Sequence, residues 1–425
     1  MKWRDWDRNL KIRLYGEALV NICFWAFFPF MAIYFSNEFG KGVAGVLLVL
    51  SQVAGVIANL IGGYSADKYG RKNMMLLSIF LQGGAFTLFA LANSPWYQSP
   101  IVTFISFTII GVSGAIYWPA SQAMVADVVE EKDRSTVFAV FYTALNIAVV
   151  IGPILGSLFF FDYRFEFLVT AALVNITLGF VIMKYIRETM PEDSTSKQLK
   201  LSWHEAMKEQ LRDYKVIMYD KVFFLFIIAG ILVAQTFMQM DVLVAVYMTE
   251  TFQDQVLVSF RDWSFLVDGE RAFGLIIAEN GLLVALFTVI VTRWMTKYPD
   301  RNVFIVSSLL YGVGILILGS NGHIWVLIGA MAIFTFAELM VVGLQQDFVS
   351  RLAPEQMRGK YFAAASLRFT IGRTMAPMFI PLTLLIGYQW TFIVLFLLTL
   401  LSAVLYARMF YLFDKKQNSS LMQAN

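Results

Sequence analysis

Long apolar runs alternate with short polar segments along almost the whole chain. A helix needs about 20 apolar residues to cross the hydrocarbon core of a bilayer, and the runs approach or exceed that length. The pattern predicts an all-α membrane protein with twelve transmembrane helices. We number them spans 1 to 12, at about residues 14–35, 43–65, 74–92, 101–126, 135–160, 165–186, 222–249, 271–292, 302–319, 323–350, 359–386 and 389–411.

The longest polar stretch, from Arg187 to Lys221, divides the spans into two sets of six. We therefore expect a six-helix bundle over residues 1–186, a cytoplasmic linker over 187–221 and a second bundle over 222–425. Within the linker, Leu199 to Val216 has the pattern of an amphipathic helix that lies on the inner leaflet. The outer loop from Thr251 to Arg271 is long and acidic, and we expect a plain solvated connector there.

The composition agrees with a membrane protein and argues against an enzyme. The chain is 58% hydrophobic and 15% charged, whereas soluble domains are usually about 25% charged. One cysteine, Cys23, and two distant histidines, His204 and His323, exclude a disulfide framework and a cysteine-rich metal site. No nucleotide-binding loop and no nucleophile with a histidine partner is evident, so we expect no catalytic residue, no cofactor and no nucleic-acid partner.

The distribution of Lys and Arg predicts the orientation in the cell membrane. With the N-terminus inside, 27 of these residues lie on the cytoplasmic side and four lie outside. Positive charges concentrate in cytoplasmic loops, so both termini are expected to be cytoplasmic.

A weak internal repeat relates the two halves. A shift of 224 residues places Arg134 on Arg358 and Pro153 on Pro377, and a shift of 229 places Lys68 on Lys297. Duplicated six-helix halves are typical of secondary transporters.

The first motif lies in the polar hairpin between spans 2 and 3. Glycines allow close helix approach and chain reversal, while Asp67 can accept from a helix N-terminus or pair with Arg71. The spacing resembles the loop motif of the major facilitator superfamily, which implies a cytoplasmic latch that gates transport. The alternative is a simple topology anchor. The matching residues are Gly63, Asp67, Lys68, Gly70, Arg71 and Lys72.

The second motif lies in span 5, where Gly152, Pro153 and Gly156 follow one another closely. Glycines at i and i+4 permit close helix contact, and a proline bends a span. The segment resembles the fifth-helix motif of antiporters in the same superfamily, which implies a role in gating. An ordinary kinked packing helix is the alternative.

Several charged residues lie inside predicted spans, and we single out four carboxylates and one arginine among them. Burying an ionisable group there costs roughly 2.5–3.5 kcal/mol or more, so each is a candidate for function. Asp241 and Glu279 lie at similar depths, Glu338 and Arg373 could pair, and Glu17 could also reach the inner interface. A carboxyl group in a dry pocket can carry a proton and release it to water or to a cation. Permanently paired structural carboxylates are the alternative.

Three further stretches narrow the resemblance to one group within the superfamily. Asn9 to Leu14, Gln239 to Asp241, and Ala337-Glu338 resemble the proton-linked multidrug exporters of Gram-positive bacteria. That resemblance implies that Asp241 and Glu338 serve proton coupling and recognition of cationic drugs. The sequence departs from the pattern at Phe107, where such antiporters have an arginine, and at Phe141, where those exporters have an aspartate.

In the fold that the resemblance implies, spans 1, 4, 7 and 10 line the substrate cavity. Polar and aromatic residues at i, i+4 or i, i+7 share one helix face, and aromatic rings near a carboxylate suit a lipophilic cation. Most single aromatics in such a chain instead pack in the core or face lipid. The candidates are Asn21, Trp25, Trp118, Gln122, Gln235, Gln239, Gln345 and, from span 5, Tyr142 and Asn146.

Together these features predict a monomeric secondary transporter that works by rocking of its two halves. The best hypothesis is proton-driven export of hydrophobic cations. Export of a metabolite, sugar or lipid-linked molecule is the rival within transport, and a non-transporting membrane sensor is the rival outside it. Sodium coupling in place of proton coupling stays open.

Overall fold

The computed structural model describes residues 4, 6–160, 162–190, 205, 208, 219–261, 263–320, 322–353 and 358–424. These residues are predominantly helical, and the chain divides into two compact units, Met1–Lys208 and Glu209–Asn425. The amphipathic linker helix predicted at 199–216 lies largely outside the described residues.

Six spans form the first unit. Span 1 is the helix Arg8–Phe27, which continues through the 3₁₀ turn Phe28–Phe30 into the helix Met31–Tyr69. Gly40 interrupts that helix with φ 76°, a left-handed value that suits glycine, and span 2 begins after it. Spans 3 to 6 are Arg71–Leu91, Pro100–Val128, Glu131–Phe159 and Arg164–Tyr185.

The second unit also contains six spans. Span 7 consists of Lys221–Phe237, a π-helical turn at Met240–Val244 and Ala245–Thr251. Span 11 is Arg358–Met375 with the turn Ala376–Met378, and it extends to a second left-handed break at Gly387 inside the helix Phe379–Ala424. Span 12 is the part of that helix after Gly387. Spans 8, 9 and 10 are Gly269–Met295, Asp300–Leu318 and Ile324–Leu352.

Ten segments of the described chain are long and apolar enough to cross a membrane. The two longest, Arg8–Tyr69 and Ala364–Lys416, each contain one of the glycine breaks and therefore supply two spans each. The count of twelve spans predicted from the sequence is consistent with this arrangement. Spans 3 and 9, predicted to be short, have 21 and 19 residues.

The two units share one packing pattern. In the first unit span 1 packs on spans 5 and 6, span 4 on spans 2 and 3, and span 3 on span 6. In the second unit span 7 packs on spans 11 and 12, span 10 on spans 8 and 9, and span 9 on span 12. Each pairing recurs six spans later, which confirms the internal repeat.

The segment between spans 7 and 8 differs from the sequence-based expectation. It forms an antiparallel β-hairpin of Gln255–Phe260 and Trp263–Val267, with a bulge between Val256 and Val258. The Gln255 side chain accepts a hydrogen bond from the backbone N–H of Ile324 at the start of span 10. The prediction of a plain connector was therefore wrong, because the β-branched and aromatic residues of this loop were not weighed against its acidic ones.

Candidate functional site

The hairpin between spans 2 and 3 holds a cluster of alternating charges. Arg71 lies between two carboxylates: its Nη2 is 3.0 Å from Oδ1 of Asp67, and its Nε is 3.0 Å from Oδ2 of Asp127 on span 4. Its Nη1 donates to the carbonyl of Ala66. The predicted pairing of Asp67 with Arg71 is therefore present, and Asp127 is a third member that the hairpin motif alone did not identify.

The chain reversal and the close helix contact that the sequence assigned to the hairpin glycines are made by different residues. Gly70 adopts φ 98°, so it makes the left-handed reversal between the two spans. Close approach to span 4 occurs at Gly62, where a Cβ would overlap the backbone of Ile116. Gly63 has only ordinary space around it, with Pro119 as the nearest neighbour. The close approach expected at Gly63 is thus made one residue earlier.

Lys68 and Lys72 complete the hairpin motif, and each donates a hydrogen bond within the first unit. Lys68 Nζ donates to the Tyr64 hydroxyl at 3.2 Å, and Lys72 Nζ donates to the carbonyl of Met183 at 2.9 Å. Lys72 therefore joins the start of span 3 to the end of span 6.

The glycine motif of span 5 faces span 1. A Cβ on Gly156 would overlap the carbonyl oxygen of Ala26, and a Cβ on Gly152 would overlap Trp25. The predicted close contact is confirmed, because these spans can approach only where side chains are absent. Pro153 lies within the helix Glu131–Phe159, which continues on both sides of it.

In the first unit, Glu17 belongs to a network that joins spans 1 and 4. Its Oε1 lies 2.9 Å from Nε of Arg13 and accepts from the hydroxyls of Tyr117 at 2.9 Å and Ser121 at 3.0 Å. Arg13 also donates to Ser121, and its guanidinium lies 5.0 Å from the centre of the Phe141 ring. The Arg13 side chain is fully buried.

That network changes the interpretation of two residues. Arg13 was counted among the cytoplasmic charges, yet it is buried within the bundle and paired with Glu17. The i, i+4 spacing of the two residues was the sequence signal that predicts such a pair. At the position where related exporters have an aspartate, Phe141 supplies the aromatic ring beneath Arg13.

In the second unit, Asp241 lies in the π-helical turn of span 7. The backbone N–H of Val244 donates to the carbonyl of Gln239, which is the widened spacing of a π-turn. Such turns are rare and occur frequently at functional sites. Among the described residues no ion-pair partner lies within 4.0 Å of Asp241, and the charge of Arg373 acts on it from beyond this distance.

The acid of span 10 is held by an amide from span 8. Asn280 Nδ2 donates to Oε2 of Glu338 at 3.1 Å and to the hydroxyl of Thr335 at 2.9 Å. The neighbouring Glu279 has one carboxyl oxygen buried without a donor among the described residues. Glu338 and Asp241 lie within electrostatic range of each other.

Arg373 does not form the pair expected from the sequence. Among the described residues it has no ion pair with Glu338 or with any other carboxylate, and its side chain is exposed. The backbone beside it is fixed, because a Cβ on Gly372 would overlap Ala234 and the N–H of Gln235 on span 7. Span 11 therefore packs tightly on span 7 just where Arg373 projects.

The predicted cavity residues fall into three groups. Gln235 and Gln239 are fully buried, where Gln239 donates to Gln235 at 3.1 Å and to the carbonyl of Ala376 at 3.3 Å. Others make local contacts: Gln345 accepts from Arg368, Asn146 donates to the carbonyl of Tyr142, and Trp25 packs edge-on against Phe24 and Phe28. Asn21 and Gln122 are half-buried, while Trp118 and Tyr142 are exposed.

Sequence reasoning missed several polar residues that the structure brings into these networks: Arg13, Tyr117, Ser121, Asp127, Glu188, Asn280 and Thr335. Arg13 and Asn280 carried a local signal, because each lies close in sequence to a carboxylate already identified. The others meet their partners only through helix packing, which a single sequence does not reveal.

The superfamily model matches this chain twice and covers nearly all of it. The description "Major Facilitator Superfamily" applies to residues 15–267 and 262–421. The chain belongs to the Major Facilitator Superfamily. It is therefore a multi-pass membrane transporter and not an enzyme, and the family fold agrees with the repeated six-span units described above.

Two relatives within the superfamily are an antiporter and a drug-resistance protein. A "Na(+), Li(+), K(+)/H(+) antiporter" of Planococcus maritimus is 55% identical over 421 residues, covering 98% of this chain and 99% of that one. The class H tetracycline resistance protein of Pasteurella multocida is 25% identical over 368 residues, covering 85% and 84%.

Solved structures show the same fold. A crystal structure of a POT family transporter in complex with 5-aminolevulinic acid matches with a TM-score of 0.75 and 15% identity, covering 98% of both chains. At this identity the likeness concerns the fold alone.

Proposed function

We propose that this transporter exports monovalent alkali cations from the cytoplasm in exchange for protons. The observation that carries the proposal is the state of the acids in the second unit. Asp241, Glu279 and Glu338 have no ion-pair partner among the described residues. The 55% identity to the Planococcus maritimus antiporter supports alkali cations as the ions exchanged.

The chemistry follows from the cost of burying charge. A carboxylate held in a span without a fixed counter-ion is stabilised when it binds a proton or a cation. The two ligands then compete for one group, so binding of one displaces the other. When the site faces the more acidic outside, a proton replaces the cation; when it faces the cytoplasm, a cation replaces the proton.

Asp241 is the group that we assign to this exchange. Its π-helical turn breaks the regular hydrogen-bond ladder of span 7, and broken helices are where transporters of other families bind ions. Arg373 acts on Asp241 from beyond ion-pair distance, so it moderates cation binding without occupying the carboxylate.

Glu338 is the second member of the exchange site. The Asn280 amide fixes one carboxyl oxygen of Glu338 and leaves the other available. Because Glu338 also interacts electrostatically with Asp241, a proton or cation on one acid changes the affinity of the other. Glu279, with its buried oxygen that has no donor in the described chain, is a third candidate beside them.

Gating is proposed for two other regions. The Asp67–Arg71–Asp127 cluster and the span 1–span 5 contact at Gly152 and Gly156 are tight arrangements within the first unit, which a change of packing among its spans can break and remake during transport. The latch predicted from the hairpin motif remains a proposal for this protein.

Export of hydrophobic cations is a second candidate function. It is supported by the half-buried rings of Phe24, Trp25 and Phe28, which pack together on span 1 and can present aromatic faces to a lipophilic cation. The tetracycline resistance relative is consistent with it.

The experiment uses purified protein in liposomes with a pH-sensitive dye inside. Liposomes are acidified internally, and Na⁺, Li⁺, K⁺, choline or a fluorescent lipophilic cation is added outside. Alkalinisation by the three alkali cations but not by choline supports the proposal, and an uncoupler must remove the pH gradient and the response. A response to the lipophilic cation alone would favour the second candidate, and no response to any cation would overturn both.

A further inference from the structure

The segment that follows span 6 is tied to the hairpin between spans 2 and 3. This strap, residues Ile186 to Met190, leads towards the linker between the two units. Its first residue, Ile186, is buried against Met75, Ile79 and Ile182. The strap therefore continues the core of the first unit beyond the end of span 6.

The Glu188 carboxylate in the strap caps the start of span 3. Oε1 accepts from the backbone N–H of Arg71 at 2.9 Å, and Oε2 accepts from that of Lys72 at 3.1 Å. The first N–H groups of a helix have no partner within the helix, and a negative charge there is favourable. Helix caps normally come from the preceding residue, but here that residue is Gly70, which has no side chain.

Gly70 makes room for this arrangement. A Cβ at position 70 would overlap the Glu188 carboxylate, so the glycine of the hairpin motif serves both the reversal and the cap. The same carboxylate accepts from the backbone N–H groups of Thr189 and Met190, at 2.9 and 3.1 Å, which folds the strap around it.

Residues near the start of span 1 and at the end of span 4 also bind the strap. The Asn9 side chain exchanges two hydrogen bonds with the backbone of Arg187, with the N–H donating at 3.2 Å and the carbonyl accepting at 3.1 Å. The Arg187 guanidinium pairs with Asp7 at 2.6 Å, and the Thr189 hydroxyl donates to Asp127 at 3.2 Å. The start of span 1, the hairpin and the end of span 4 thus meet at one short segment.

We propose that Glu188 is a positioning residue for the Asp67–Arg71–Asp127 cluster. By holding the Arg71 N–H it fixes the backbone from which the Arg71 guanidinium reaches both carboxylates. Loss of this hold releases the cap and loosens the cluster. The consequence for transport rests on the proposed function, but the structural role does not.

The test compares Glu188→Ala with Glu188→Gln, which keeps one acceptor oxygen, and with Glu166→Ala as a matched control. Glu166 is an exposed glutamate at the opposite end of span 6. Backbone hydrogen exchange is measured by mass spectrometry on the full chain in nanodiscs. Glu188→Ala should speed exchange of the Arg71 and Lys72 N–H groups about five- to tenfold, as expected for loss of a helix cap. Glu188→Gln should give a smaller increase and Glu166→Ala none.

If Glu188 only caps span 3, faster hydrogen exchange is confined to Arg71 and Lys72. If it positions the cluster, faster exchange extends to span 2. Positioning requires faster exchange at the end of span 2 around Asp67 as well, and it requires that Glu188→Ala adds nothing there when Arg71→Ala is already present. Faster exchange confined to Arg71 and Lys72, unchanged exchange everywhere, or fully additive effects would each overturn the proposal.

Transport provides a separate readout. Glu188→Ala should lower the turnover of cation–proton exchange several-fold, leave the cation concentration for half-maximal rate unchanged, and cause no further loss in an Asp67→Asn background. Normal turnover in Glu188→Ala would contradict the predicted effect on transport. If the unsubstituted protein exchanges no alkali cation, the proposed function fails, while the hydrogen-exchange result still decides the role of Glu188.

Discussion

The two units bury arginines and acids in different ways although their spans pack in the same pattern. In the first unit Nε of Arg13 lies 2.9 Å from Oε1 of Glu17, and the hydroxyls of Tyr117 and Ser121 donate to the same oxygen. In the second unit Arg368 is equally buried, but it is held by Gln345, by the carbonyl of Ala365 and by stacking 4.2 Å from the Phe226 ring centre. No carboxylate of the described chain pairs with it.

The two units also differ in how their buried acids are paired. Asp241 and Glu338 lie in spans without an ion pair among the described residues, while Glu17 of the first unit is paired with Arg13. A matched pair holds a bundle together and binds no further ligand at low cost, because separating it leaves buried charge. Unmatched acids are expensive unless they bind something. Under the proposed function, the duplicated scaffold uses buried charge for structure in one copy and for exchange in the other.

The largest expected effect comes from Asp241→Asn. The amide cannot take up and release a proton, so cation-driven proton movement should fall to the level of protein-free liposomes. The internal pH dye in proteoliposomes measures this directly. Asp254→Asn, in the exposed segment after span 7, is the control and should exchange at the normal rate. Exchange in Asp241→Asn at the rate of that control would remove Asp241 from the mechanism.

The next largest effect is on stability, and it distinguishes the two buried arginines, Arg13 and Arg368. Arg13→Met leaves the Glu17 carboxylate buried without its cation and should lower the free energy of unfolding by about 3–5 kcal/mol. Arg368→Met leaves only neutral groups behind and should cost about 1–3 kcal/mol. Thermal unfolding of both variants in detergent provides the comparison. Equal losses, or a larger loss for Arg368→Met, would mean that charge matching does not distinguish the units.

Substitution of a glycine at a tight helix contact should lower stability by a similar amount in both units. Only the contact near the acids should also affect cation binding. Gly156→Ala and Gly372→Ala both place a methyl group on a neighbouring backbone, and each should destabilise by roughly 1–3 kcal/mol. Only Gly372→Ala should also raise the cation concentration for half-maximal exchange, because it displaces Arg373. Gly84 faces open space, so Gly84→Ala should gain about 0.5–1 kcal/mol from helix propensity and leave transport unchanged. An unchanged half-maximal concentration in Gly372→Ala would argue against the role of Arg373.

The smallest effect is expected at Asn280. Asn280→Ala removes the hydrogen bond to Glu338, worth about 1 kcal/mol, and should therefore weaken apparent cation affinity about fivefold. The rate of exchange measured against Na⁺ concentration reports this shift. Asn302→Ala, at an exposed position near the start of span 9, serves as the control. Wild-type affinity in Asn280→Ala would show that the Glu338 contact does not set cation binding.

Much of the fold was predictable, because apolar run length and charge placement are local properties of a membrane chain. The spans, the repeat, the reversal at Gly70 and the close contact at Gly152 and Gly156 all follow from residues near one another in sequence. The β-hairpin after span 7 was missed because the acidic residues of that loop were given more weight than its β-branched and aromatic residues.

Pairing between spans was harder to predict than the spans themselves. Arg373 was expected to meet Glu338 from their similar depth, but depth does not fix rotation about a helix, and the charge of Arg373 instead interacts with Asp241. Gln235 and Gln239 shared a face as predicted, yet that face packs on span 11. The role of Glu188 depends on the path of a segment that has no repeating pattern.

The most direct test measures protons released when a cation binds. Calorimetric titration of Na⁺ into the detergent-purified protein, repeated in buffers of different ionisation enthalpy, gives this number. The unsubstituted protein and Glu17→Gln should each release roughly one proton per cation bound, as competition for one carboxyl group requires, and the double variant Asp241→Asn/Glu338→Gln should release none. Proton release that survives in the double variant but disappears in Glu17→Gln would contradict the assignment of exchange to the second unit.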